Sequence, residues 1–164
     1  MKKLNSIFNK SNKLFISDST KIVIMSDLHR GKKDKYDNFS KNENIFLYAL
    51  DYYYKKGFIY IELGDGDDLW EVKECTDIVK SNIDSFKMLK KFYNARRLYM
   101  LYGNHDIVKS SPLVFESCFN SYYNEKSIEL ETLLKGLTIY ESLILKYKNN
   151  DIFLINEQSK DNKL

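Results

Sequence analysis

Ile22-Val23-Ile24-Met25-Ser26-Asp27-Leu28-His29 is the stretch that decides the fold. A short apolar run rich in β-branched residues, bounded by polar ones, reads as a buried strand. It ends in an acid and an imidazole two residues apart, which an extended segment would turn to one side. The pattern recurs twice. Phe58-Ile59-Tyr60-Ile61-Glu62-Leu63 leads into Gly64-Asp65-Gly66-Asp67-Asp68, and Leu98-Tyr99-Met100-Leu101-Tyr102 leads into Gly103-Asn104-His105-Asp106. Three strand ends thus deliver carboxylate, amide or imidazole groups. In open α/β sheets that edge is where ligands bind.

Helices are expected between the strands. Over 40–56, Ile45, Ala49, Tyr52 and Tyr53 fall at helical spacing, with Phe46 and Leu50 widening the stripe. Lys55 and Lys56 suit the helix end, and Gly57 suits the left-handed cap. A second helix is expected over 76–93, capped by Thr76, with Val79, Ile83, Phe86, Leu89 and Tyr93 inward. Strand, helix, strand, helix, strand predicts an α/β domain with right-handed crossovers and parallel strands. Pro112 stops any helix in the 106–111 loop. Residues 127–135 read as a short helix ending at Gly136. Residues 137–147 and 151–155 read as two strands joined by a turn at 148–150, so the sheet should be mixed. Residues 1–20 form an N-terminal arm or an edge strand around Leu14, Phe15 and Ile16. The main domain spans 21–158, and 159–164 is a polar tail.

A chain of 164 residues is one domain on length, and 43% hydrophobic residues suffice for a core. The net charge of +3 is too small to suggest a nucleic-acid face. No apolar segment reaches the length of a membrane span, and no apolar run follows Met1-Lys2-Lys3 as in a signal peptide. Cys75 and Cys118 share no metal-ligand spacing. They read as two free thiols, which with the missing signal predicts a cytoplasmic protein. Loop 31–37 is crowded with charge and reads as solvated, with a lip over an anionic substrate as the alternative. Trp70 reads as core packing, with stacking on a base or sugar as the alternative.

A carboxylate and an imidazole on one side can bind a divalent cation. A second carboxylate from the next strand can bridge two ions roughly 3.5–4 Å apart. Asp27-x-His29, then Gly64-Asp65-x-x-Asp68, then Gly103-Asn104-His105-Asp106 resemble the first three motif blocks of the calcineurin-like metallophosphoesterases. The resemblance covers about residues 21–155. It implies an αββα sandwich with a mixed sheet and two divalent metal ions (manganese, iron or zinc). The activity it implies is hydrolysis of a phosphomonoester, phosphodiester or pyrophosphate of a small phosphorylated substrate. By the same resemblance, Asp27 and His29 hold the first ion, Asp65 bridges and Asn104 holds the second. His105, oriented by Asp106, acts at the leaving group. Apart from the resemblance, Arg30 and the lysines of 32–35 stand close enough in sequence to help hold the phosphate, against their reading as solvated loop cations. The reaction implied is in-line displacement by water activated at the metals.

Two blocks of that family pattern do not appear. The chain has two histidines, His29 and His105, both already placed. After the strand 151–155, Asn156-Glu157-Gln158 stands where the family carries a histidine, and no Gly-His-x-His follows. With three imidazole ligands missing, at most one well-held ion and weak or absent turnover are expected. The sandwich is expected to be incomplete at the C-terminus. A partner chain would have to supply ligands to complete two-metal coordination. The competing reading is a non-catalytic binding or interaction domain on a degenerate phosphoesterase scaffold.

Overall fold

The computed structural model describes residues 2–70 and 74–156, so Glu157, Gln158 and the 159–164 tail lie outside the described residues. It is an α/β structure containing parallel and antiparallel strand pairs. Among the described residues there are five α-helices. The three decisive strands are β2 (Ile22–Met25), β3 (Ile59–Leu63) and β4 (Leu98–Leu101). They lie side by side and parallel, with β3 central, and β7 (Ile139–Tyr140) adds to β4. This four-stranded sheet is wholly parallel. The antiparallel pair expected at the C-terminal end sits instead in a second sheet. There β8 (Ser142–Tyr147) pairs antiparallel with β9 (Asn150–Ile155) and parallel with β1 (Asn12–Ile16). The expected strand 137–147 is therefore two strands, and Glu141 carries the chain from one sheet to the other.

Two apolar clusters account for the layering. Tyr60, Met100 and Leu98 point from the parallel sheet toward α2 (Glu43–Lys55) and α4 (Ile83–Asn94). Phe46, Leu50, Phe86, Leu89 and Phe92 meet them there. The alternate residues Ile61 and Leu101 point the other way and pack on Leu143, Leu145 and Leu154 of the second sheet. Period-two alternation along β3 and β4 thus feeds both cores. β2 is an edge strand and only half buried, unlike the buried strand its composition suggests. Helix α1 (Lys2–Lys10), which the polar sequence did not announce, lies on the outer side of the second sheet with Phe8 edge-on to Phe153.

The second expected helix is broken. α3 (Cys75–Ser81) and α4 meet at Asn82, a fully buried residue whose amide donates to the carbonyls of Ile78 at 2.9 Å and Gly31 at 2.6 Å. That second bond ties the loop beyond His29 to the helical layer. Pro112 opens α5 (Pro112–Phe119) at its first turn, where a missing N–H costs nothing. The expected helix over 127–135 is a hairpin of β5 (Ser121–Asn124) with β6 (Glu129–Thr132). The Asn124 side chain accepts from the N–H groups of Lys126 and Ser127, a local turn that competes with helix.

Cys75 and Cys118 are joined in a disulfide between α3 and α5, which corrects the reading of two free thiols. Their separation of 43 residues hid the pairing, because only the fold brings the two helices together. The argument from free thiols to a reducing compartment falls with it. Closing a loop of that length limits the unfolded chain by about 4 kcal/mol in the entropic picture. Reduction is therefore expected to lower the melting temperature. An unchanged melting curve in excess dithiothreitol would show that the bond contributes nothing.

Candidate metal centre

The loops after β2 and β3 run alongside each other past the sheet. His29 N–H donates to the Asp65 carbonyl at 2.9 Å, Arg30 N–H to Gly66 at 3.0 Å, and Asp68 N–H back to Arg30 at 3.0 Å. Asp27 and His29 are therefore not extended, as the strand reading had them. Both are left-handed, with φ of 55° and 49°, and so is Asp65 at 51°. Asp and His tolerate this region better than most residues, and such conformations gather at functional sites. The outcome for the side chains is convergence. One ligand atom each of Asp27, His29 and Asp65 lies within 4.8 Å of the others.

The third block closes the site from below. Asp65 is buried, and its Oδ1 accepts the His105 N–H at 2.8 Å. A Cβ added at Gly103 would lie 2.3 Å from that oxygen and 2.8 Å from the Asn156 Oδ1. Gly103 is thus the space that lets the carboxylate sit where it does. Gly103→Ala is expected to weaken divalent-ion binding although it removes no ligand, and a calorimetric titration of manganese checks this. Asn156, at the end of β9, reaches the same place and donates to the Leu63 carbonyl at 3.0 Å. Asn104 is half-buried in the turn between Gly103 and His105.

Asp106 does not orient His105, which corrects the expected role. Its carboxylate is fully buried and accepts from Gly103 at 2.7 Å, Asp65 at 3.2 Å and Gly66 at 3.1 Å, and from the Lys109 ammonium at 2.7 Å. It pins two motif loops together. The carboxylate that faces the His105 imidazole is Asp68, with Oδ1 3.4 Å from Nδ1. Arg30 is also corrected as a phosphate ligand. It is fully buried, with Nη1 and Nη2 on Glu62 at 2.8 and 2.7 Å and Nε on Asp67 at 2.6 Å. Asp67 meets Lys109 at 2.6 Å, so the three carboxylates and two cations form one buried network beneath the site. Burial works against the Lys109 ammonium, but Asp106 and Asp67 outweigh it and hold its pKa above the ordinary value.

A groove of about 1040 Å³ opens beside Asp27, His29 and Asp68. Leu28, Phe39, Ile45, Phe46 and Ala49 give it an apolar wall, and Lys32 supplies a cation. Trp70, expected in the core, is 60% exposed and lies against the His105 ring at 5.1 Å between centroids. No helix among the described residues is long and apolar enough to cross a membrane. No protein-family model and no curated protein matches the chain.

The donor set fits a divalent ion. Two carboxylates and an imidazole suit manganese, iron or zinc. Bonds of ~2.0–2.2 Å need little closing of the gaps, and Asp27, with its side chain 62% exposed, is free to move in.

Proposed function

We propose that this chain is a metal-dependent phosphoesterase of the calcineurin-like kind, built on an αββα sandwich, with one well-held divalent ion. The observation that carries the reading is the convergence of Asp27, His29 and Asp65 from two neighbouring strand ends, with His105 delivered by a third. Helices on one side of the parallel sheet, a second sheet behind it and α1 beyond that support the sandwich.

Asp27, His29 and Asp65 would hold the ion. When bound, it supplies Lewis-acid chemistry, polarising a phosphoryl oxygen and lowering the pKa of water. Asp65 Oδ1 and Asn156 Oδ1 lie 2.3 and 2.8 Å from where a Cβ at Gly103 would stand. Asn156 and Asn104 would offer a second ion only neutral amide oxygens, so that position would be weak. Asp68 Oδ1, 3.4 Å from Nδ1, would orient the His105 imidazole, and an imidazolium held there would carry on Nε2 the proton that the departing oxygen takes. Lys32, on the groove wall, takes the phosphate-holding role that Arg30 cannot.

The shortage of imidazoles favours a second reading, a binding domain that holds the ion without turnover. One experiment separates the two. The purified chain is assayed on p-nitrophenyl phosphate and bis-p-nitrophenyl phosphate with manganese and again after chelation. Manganese-dependent release above background supports the enzyme, and ion binding with no release supports the binding domain. Either reading expects manganese to stabilise the fold. At one hundred times the dissociation constant the gain is ~2.7 kcal/mol, which raises the melting temperature by roughly 5–10 °C. An unmoved melting curve would remove the metal from both.

A further inference from the structure

The chain's only two histidines lie together. The rings of His29 and His105 meet edge to face, with centroids 4.6 Å apart. Asp68 completes the group, and one ligand atom each of His29, Asp68 and His105 lies within 4.8 Å of the others. Around an ion with bonds near ~2.1 Å in tetrahedral geometry, ligand atoms stand ~3.4 Å apart. The distance of 3.4 Å between His105 Nδ1 and Asp68 Oδ1 already matches that edge. All three side chains are partly open to solvent, which leaves room for water as a fourth ligand.

We propose that His29, Asp68 and His105 form a second, nitrogen-rich metal site that takes a borderline-soft divalent ion such as zinc, in competition for His29 with the carboxylate-rich group of Asp27 and Asp65. Imidazole-rich sites favour zinc, whereas carboxylate-rich ones suit manganese. Zinc in this site occupies His105 and withdraws it from proton transfer, so the ion that fills the site also silences it. The site shares a residue with the proposed hydrolysis, but its existence does not require that reaction.

The test is a calorimetric titration of the purified chain with zinc alone and with manganese alone. Asp68→Asn and His105→Ala are expected to weaken zinc by at least about 100-fold, since losing a group behind a ligand already costs roughly 10–100-fold. Asp27→Asn should leave zinc within a few-fold and weaken manganese instead. Zinc affinity that follows Asp27→Asn and ignores Asp68→Asn and His105→Ala would overturn the second site. Wild-type chain gives a check that needs no variant. Zinc at saturation should displace manganese, one ion per chain, and independent binding of both would overturn the competition. Failure on these points leaves the manganese-dependent hydrolysis untouched, because that assay contains no zinc.

Discussion

Asp65→Asn is expected to lower manganese-dependent phosphoester hydrolysis by at least about 100-fold, beyond the usual cost of losing a group that merely supports a ligand. The substitution keeps the shape and the oxygen that accepts the His105 N–H, so the loop should hold. What it removes is the buried charge between the Asp27–His29 pair and the turn of Asn104. His105→Ala should behave differently, lowering kcat while manganese affinity stays, because His105 acts from the Asp68 side and outside the carboxylate-rich group. Equal turnover in wild type and Asp65→Asn would show that any activity present does not come from this centre.

Arg30→Met is expected to destabilise the fold by ~3–5 kcal/mol, the usual result of removing one member of a buried ion pair. Here two carboxylates, Glu62 and Asp67, lose a partner at once in a site with no solvent exposure. Against a typical stability of ~5–15 kcal/mol this is a large share. Lys32→Met, on an exposed side chain whose nearest acid is Asp34 at 3.8 Å, should stay within about 1 kcal/mol. The comparison is made by urea unfolding at neutral pH. Acid should act on the same network. Burial alone would raise the Asp67 carboxyl, but Arg30 and Lys109 outweigh it and hold its pKa below the ordinary 3.8. The stability it contributes is complete above that value and is lost as pH falls through the depressed one. Similar urea midpoints for Arg30→Met and Lys32→Met would contradict the network's role.

The parallel strands and the helices between them were legible because apolar runs and helical stripes are local signals. Met25, Leu63 and Leu101 end their strands within a residue or two of the expected points. Details that depend on distant partners were not legible. Asn82 looks like any polar residue in a helix until Gly31 arrives to take its amide. Cys75 finds Cys118 only once α3 and α5 are packed. The same limit misassigned Asp106 and Arg30. Both stand inside motif blocks, and only the structure shows that their charges are spent beneath the loops. Asp68 and Gly103 are what the sequence reading passed over. A carboxylate three residues after Asp65 was a signal for the first. The second stood in its motif block without a role, because the oxygen it makes room for belongs to the loop after another strand.

The most direct test of the metal centre is a crystal of the chain grown with manganese, with diffraction collected at the manganese absorption edge. The expected result is one strong anomalous peak between Asp27, His29 and Asp65, at bonding distance from all three. A peak outside that group, or none in a crystal soaked at saturating manganese, would contradict it.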